Sequence, residues 1–184
     1  MSEKNKYWLV IVAFFLFFEV FSQPQMVLMK ELTNQGGIYY YRGEKYTGIG
    51  FLKNEKGKFI VEIPLRKGLV HGKRINYTTN GSVLAKEKFK NGKGILITYH
   101  INNKLKSSGY INVGFKEGEW KYYNKKGILK AKEMWSFDVE NQLDWEKFYY
   151  KSGSIESEMY YKMGLLSKEV YYDENGKVFK TNKN

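Results

Sequence analysis

The sequence has no cysteine in its 184 residues. That excludes a disulfide framework and every cysteine-liganded zinc or iron–sulfur site. Stability has to come from packing and strand pairing. Histidine is nearly as scarce: His71 and His100 are the two in the chain, and they share no spacing pattern that would build a two-histidine metal site. Proline occurs twice, too rarely for a proline-rich linker. There is no nucleophile elbow, metal-ligand pair or phosphate loop, and Gly48-Ile49-Gly50 lacks the third glycine and following helix of a dinucleotide fingerprint. Carboxylates such as Glu117, Glu119 and Glu133 fall at repeat-surface positions instead of converging on a pocket. A non-enzymatic chain without a cofactor is expected.

What is abundant is aromatic. Phe, Trp and Tyr make up 17% of residues, with 16 Tyr, 12 Phe and 4 Trp, alongside 18 Gly. Tyr and Phe suit pleated, half-buried surfaces, and the glycines punctuate many turns. Beyond the N-terminal apolar run no segment keeps a helical period. The formal net charge is +12, from 31 Lys+Arg against 19 Asp+Glu. Such a surface attracts polyanions or acidic proteins; the plain alternative is a lysine-rich surface that is merely solvated.

Residues 1–22 read as a secretory signal peptide. Lys4 and Lys6 precede an apolar run from Tyr7 to Phe18, and Val20 and Ser22 stand before a cut at Gln23. The run is short for a spanning helix, which needs about 20 apolar residues; an uncleaved N-terminal tether is the alternative. Export to the periplasm, the outer surface or the medium is expected, and a nucleic-acid partner is not, whatever the charge.

A repeat organises the rest. The frame is a small residue, a tyrosine five residues on, and a turn residue four further. Gly72–Tyr77–Gly81 and Gly118–Tyr123–Gly127 fit it. Gly94–Tyr99–Asn103 fits with Asn in the turn. Asp144–Tyr149–Gly153 and Ser167–Tyr172–Gly176 fit without the first glycine, and Gly48–Lys53–Gly57 without the tyrosine. The turn positions 57, 81, 103, 127, 153 and 176 lie 22 to 26 residues apart. Each unit reads as strand, turn, strand, and Lys67-Gly68, Asn91-Gly92, Val113-Gly114 and Met163-Gly164 mark turns between units. The expectation is all-β: an elongated single-layer antiparallel sheet of about six tandem hairpins over residues 48–184, after a capping segment at 23–47. The longest irregular loop is expected at 136–144.

Alignment on the turns gives columns. Two residues past the turn stand Phe59, Val83, Leu105, Leu129, Ile155 and Val178; four past it stand Val61, Ala85, Ser107, Ala131, Ser157 and Lys180. Strict alternation puts both columns on one face, with Tyr77, Tyr99, Tyr123, Tyr149 and Tyr172 lying across the small residues. Gly48, Gly72, Gly94 and Gly118 read as places where a ring lies over bare backbone. Lys86 and Lys88, Lys104 and Lys106, and Lys130 and Lys132 fall on the other face as a basic stripe, with Glu156 and Glu158 at its end. The stripe is the candidate ligand site. Against it stands the reading that lysines there only discourage edge pairing.

Gly118–Lys130 (GEWKYYNKKGILK), Val70–Leu84 (VHGKRINYTTNGSVL) and Arg42–Gly48 (RGEKYTG) resemble the MORN repeat, in the variant common in bacterial secreted proteins. The resemblance spans about residues 37–180. It implies an elongated antiparallel sheet and a role in protein–protein or membrane-surface contact; bacterial members are often labelled antitoxin-like or host-interaction proteins. The partner expected here is a protein, an acidic glycan or another anionic surface. Peripheral contact with anionic lipid comes second, because no amphipathic helix or apolar loop tip is evident. An immunity-type partner of one protein is a third reading.

Overall fold

The structure, a computed structural model, describes residues 25–139 and 141–183. The signal-peptide reading of 1–22 lies outside those residues. The N-terminal segment supplies β1 (Met26–Leu28), one 3-10 turn (Met29–Glu31), β2 (Thr33–Gln35), β3 (Ile38–Tyr41) and β4 (Glu44–Lys45). Hairpin 1 follows, from β5 (Gly48–Lys53) and β6 (Phe59–Arg66), and then a short β7 (Leu69–Val70). Hairpin 2 is β8 (Gly72–Tyr77) with β9 (Val83–Lys90); hairpin 3 is β10 (Lys93–Tyr99) with β11 (Leu105–Asn112). Hairpin 4 is β12 (Phe115–Tyr123) with β13 (Leu129–Trp135), and hairpin 5 is β14 (Leu143–Tyr149) with β15 (Ile155–Lys162). Hairpin 6 is β16 (Leu165–Tyr172) with β17 (Val178–Lys183). The six hairpins run side by side in chain order in one long sheet.

The hairpin turns fall where the repeat frame puts them. The amide of Gly57, Gly81, Asn103, Gly127, Gly153 or Gly176 donates to the carbonyl three residues earlier, at 2.9–3.1 Å. These six residues have φ between +64° and +91°, a conformation that Gly and Asn adopt at least cost. Asn54, Asn124 and Asp173 open their turns and accept amide protons from two and four residues on, which fixes the turn before the strands pair. Between hairpins, Lys67-Gly68, Asn91-Gly92, Val113-Gly114 and Met163-Gly164 all carry two successive positive φ values, the tight turn whose twist matches the flanking strands. The longer connection lies between β13 and β14, where the Ser136 amide donates to Gln142 O at 2.8 Å and Asn141 has φ +58°.

The columns need correction. Just past each turn the second strand carries one extra residue. In hairpin 4, Tyr123 stands opposite Leu129 and Tyr122 opposite Ala131, so Lys130 has no cross-strand partner. The same slip recurs in the other five hairpins. This β-bulge inverts the alternation. The apolar column and the small column therefore occupy opposite faces: the Phe59 ring packs against Phe51 and Tyr77, at 5.5 and 6.0 Å between centroids, while Val61 pairs with Leu52. Tyr77, Tyr99, Tyr123, Tyr149 and Tyr172 stand opposite Val83, Leu105, Leu129, Ile155 and Val178, not across the small residues. The small residues face the preceding position, so Tyr122, Phe148 and Tyr171 lie over Ala131, Ser157 and Lys180.

The sheet is not antiparallel throughout, since β1 pairs with β5 in parallel and occupies that edge. Strands β2, β3 and β4 form a separate small sheet. Val27, Tyr46 and Leu65 are buried together, with Leu32, Tyr39, Tyr41, Ile63 and Val70 packed on them. The small sheet also leans on the connections between hairpins: a methyl group at Gly37 would lie 2.1 Å from the carbonyl oxygen of Val113, so only glycine fits there.

Candidate binding faces

Register assigns every residue of the long sheet to one of two faces. Following the lysines on β9, burial alternates strictly: Lys86, Lys88 and Lys90 are exposed, Glu87 and Phe89 buried. Lys88 stands directly opposite Lys73, and Lys90 directly opposite Lys93. Lys73 and Lys93 are exposed too. Ile95, 59% exposed, and Tyr110, 36% exposed, continue the same face and pair with each other. None of these five lysines makes an ion pair among the described residues.

Lys132 lies on that face as well, but among different neighbours. It stands opposite Lys121 on one side and Lys147 on the other. Glu119 holds Lys121 at 3.1 Å and Lys132 at 3.4 Å, and Glu158 holds Lys147 at 2.7 Å. Glu158 also accepts the hydroxyls of Tyr160 at 3.0 Å and Tyr172 at 2.7 Å. Burial alone would raise the Glu158 carboxyl, yet the Lys147, Tyr172 and Tyr160 hydrogen bonds bring it below the usual carboxylate range. The hydrogen bond to Glu158, with burial added, pushes the Tyr172 phenol up to about 12.

The other lysines of the sequence-derived stripe are elsewhere. Lys106 and Lys130 are extra residues of bulges. Their counterparts Ile60 and Leu84 line a groove on the opposite face. Lys104 sits beside its turn and donates to the carbonyl of Lys126 at 3.0 Å. The structure thus brings together Lys73, Lys86, Lys88, Lys90 and Lys93 in one place and Lys121, Lys132 and Lys147 in another. Lys73, Lys93, Lys121 and Lys147 stand on the first strands of their hairpins, which a column alignment of the second strands alone passes over.

Gly48, Gly94 and Gly118 lie against the rings of Tyr46, Phe89 and Phe137, and Gly72 against the ring of Pro64. His71 bonds the Asn91 side chain at 2.9 Å and His100 the carbonyl of Tyr123 at 2.8 Å; both tie one repeat to the next.

The groove face changes character along the sheet. Over hairpins 1–3 it is open, with cavities of 420 and 310 Å³ that share Arg74 as a wall. Leu52, Ile60, Leu84 and Ile101 line the first, Ile63, Leu96 and Ile111 the second. Arg74 donates to Glu87 at 2.9 Å and to the carbonyl of Ile97 at 3.2 Å, and Asn76 donates to Glu87 at 2.6 Å. Burial raises the Glu87 carboxyl, and Arg74 offsets only part of that.

Over hairpin 4 the same face is filled. Trp120, 3% exposed, occupies the space that a methyl at Gly109 would need. Glu133 stands at the repeat position of Glu87 and accepts from the Tyr122 hydroxyl at 2.5 Å, the Trp135 indole at 2.7 Å and Lys116 at 2.9 Å. The Lys116 ammonium also donates to the Tyr122 hydroxyl at 2.6 Å. It lies 5.2 Å from the Trp120 ring centroid, 5.2 Å from Tyr122 and 4.7 Å from Trp135. Burial opposes ionisation of Glu133, but those three hydrogen bonds hold its carboxyl below the usual range.

Apolar tips, not evident in the sequence, are present on and beside the connections between hairpins. Met163 is 84% exposed, Leu165 74%, Phe137 69% and Val139 50%.

Residues 70–91, 116–136 and 146–163 match the MORN repeat variant. These are hairpins 2, 4 and 5, which are similar to that family's repeat. Hairpins 1, 3 and 6 close on the same turn and bulge. No curated protein matches the sequence.

Proposed function

We propose that this chain is an exported, non-enzymatic repeat scaffold that binds an anionic partner, an acidic protein or glycan, through the bare lysines of hairpins 2 and 3. One observation carries the reading. Lys73 opposes Lys88 and Lys90 opposes Lys93 with no carboxylate set between them, whereas the equivalent lysines of hairpins 4 and 5 are matched with Glu119 and Glu158. Like charges directly opposite one another destabilise a sheet, and an anionic ligand removes that cost. Ile95 and Tyr110 supply apolar contact area beside the charge. Export rests on the N-terminal segment, and the absence of catalysis on hairpin repeats that run from residue 48 to 183.

The test is binding to an acidic glycan and to an acidic protein at low and physiological salt. The variant carries Gln at 73, 86, 88, 90 and 93. Its affinity should fall by about tenfold or more, and the wild-type interaction should weaken as salt rises. A second variant with Gln at 121, 132 and 147 should bind as wild type does. Equal losses in both variants would reduce the patch to net charge, and no loss in either would remove it from the interface.

A second reading has its own support. Met163, Leu165, Phe137 and Val139 are exposed at or beside the connections that follow hairpins 4 and 5, with Lys162 next to Met163. Apolar residues flanked by cations suit the boundary of an anionic membrane. Co-sedimentation with anionic vesicles that is abolished by Met163→Ser with Leu165→Ser, and untouched by the Gln variant at 73–93, would favour these apolar residues over the lysine patch.

A further inference from the structure

Lys116 places its ammonium among aromatic side chains and a carboxylate on the groove face of hairpin 4. Three aromatic rings and one carboxylate surround its ammonium: Trp120, Tyr122, Trp135 and Glu133. The nitrogen lies 4.7–5.2 Å from the three ring centroids. A methyl group on that nitrogen, with a bond of about 1.46 Å and contact to ring carbons at about 3.5–4.0 Å, puts the nitrogen ~5 Å from the ring. At the Trp120 and Trp135 rings that spacing leaves room for one methyl; on its other side the ammonium is hydrogen-bonded to the Tyr122 hydroxyl at 2.6 Å and to Glu133 at 2.9 Å, so a quaternary nitrogen sits farther from those two oxygens than the Lys116 nitrogen does. Aromatic faces around a methylated ammonium are a recognised means of holding it.

The two indoles are fixed and the occupant is not. Trp120 is buried, stacks on Tyr122 with centroids 6.3 Å apart, and fixes its indole by donating to the carbonyl of Tyr110 at 3.0 Å. Trp135 is fixed through Glu133 at 2.7 Å. The Lys116 side chain, by contrast, is 32% exposed and ends on a flexible four-carbon stem. Arg74, which partners the equivalent carboxylate in hairpin 2, is 13% exposed and also held by the carbonyl of Ile97. Lys116 has no backbone acceptor among the described residues.

We propose that Trp120, Tyr122, Trp135 and Glu133 form a receptor site for the trimethylammonium group of a phosphocholine-type zwitterion, closed in the free protein by Lys116. Entry of the quaternary nitrogen puts it against the Trp120 and Trp135 rings, with the Tyr122 hydroxyl and Glu133 on its other side. The displaced Lys116 ammonium, tethered beside the cage, then meets the phosphate that such a molecule carries a few bonds from its nitrogen. The exchange keeps every charge paired: Glu133 with the quaternary ammonium, Lys116 with the phosphate. This site is separate from the lysines of hairpins 2 and 3 and stands or falls without them.

Tryptophan fluorescence of the whole chain, titrated with phosphocholine and with phosphoethanolamine, tests the proposal. Phosphocholine should give a saturable change, and phosphoethanolamine, which carries the same phosphate but no methyls, should bind about tenfold more weakly or not at all. Trp135→Leu and Glu133→Gln should each weaken phosphocholine by about tenfold, and Lys116→Gln should let tetramethylammonium bind more tightly than it binds wild type. No saturable change with phosphocholine, or equal binding of both phosphates, overturns the site. So does binding of tetramethylammonium by Lys116→Gln when the unaltered chain takes neither it nor phosphocholine, because the lysine is then a permanent plug. If a variant does not fold, the comparison of the two phosphates on the unaltered chain decides alone. Vesicles of phosphatidylcholine form the last arm: capture that free phosphocholine competes away assigns the group to a lipid headgroup, and binding of free phosphocholine without capture assigns it to a soluble molecule.

Discussion

Hairpins 2 and 4 are built on one template and finished differently. Both match the MORN repeat variant, both close on a positive-φ glycine, and both carry a bulge past the turn. On the groove face, the residue seven before the turn is Arg74 in one and Trp120 in the other, and the residue six after it is Glu87 or Glu133. Hairpin 2 answers its glutamate with a guanidinium and leaves open space around it. Hairpin 4 answers with one indole, a phenol and a lysine, and fills the space with a second indole, Trp120. On the reverse face the contrast lies in the lysines, bare in hairpin 2 and bridged by Glu119 in hairpin 4. The turn and the bulge define the repeat, while the side chains between them divide the sheet into a half held mainly by packing and a half left available for contact.

The contrast can be broken most sharply at Trp120. Trp120→Ala removes a side chain 3% exposed and empties the space above Gly109. A loss of about 3–5 kcal/mol is expected in urea unfolding. Leu96→Ala, at the same repeat position in hairpin 3 but beside an open cavity, should cost clearly less. Equal costs would mean that the two halves are packed alike.

Arg74→Met tests the electrostatic half. It leaves Glu87, whose side chain is 3% exposed, without its counter-charge. The cost at neutral pH should approach about 3 kcal/mol, and part of it should return as the solution is acidified and Glu87 takes up a proton. A variant that loses the same stability at every pH would show that Arg74 matters as a packed side chain and not as a charge.

Acid should separate the halves even without substitution. Glu119, Glu133 and Glu158 are held below the usual carboxylate range. Their contribution is complete above the unfolded-state value and is lost as pH falls through the folded values. Glu87 is raised, so its ionised form opposes folding at neutral pH, and that opposition is relieved as pH falls through its folded value. Hydrogen exchange followed by segment from pH 7 downward should show hairpins 4 and 5 losing protection relative to hairpin 2. The reverse order would contradict the assigned partners.

Much of this was legible before any coordinates. The turn residues, the six hairpins and the connection near residue 140 follow from glycine and asparagine at a regular spacing, because a positive φ is a local demand that sequence displays directly. The face of each residue was not legible, because one bulged residue per hairpin inverts it, and nothing in Lys106 or Lys130 announces that they are the extra ones. The candidate site moved for the same reason. Lys86, Lys88 and Lys132 share a face, but their true neighbours are Lys73 and Lys121, on strands that run the other way, and such neighbours are set by register alone.

The smallest expected effect gives the finest comparison, since the same substitution should have opposite signs in the two halves. Lys88→Glu turns the opposed pair Lys73–Lys88 into an attractive one and should stabilise the fold by about 0.2–1 kcal/mol. Lys132→Glu places a carboxylate beside Glu119, removes its 3.4 Å bridge and should destabilise by a similar amount. The Lys132 substitution still leaves lysines on both sides, Lys121 and Lys147, so its penalty is softened and belongs at the lower end of that range. Paired thermal melts at low salt should show the two variants on either side of wild type, with the gap closing as salt screens the exposed charges. Two shifts of the same sign would mean that Glu119 does not distinguish the rows, and the case for a ligand at Lys73 and Lys88 would then lose its footing.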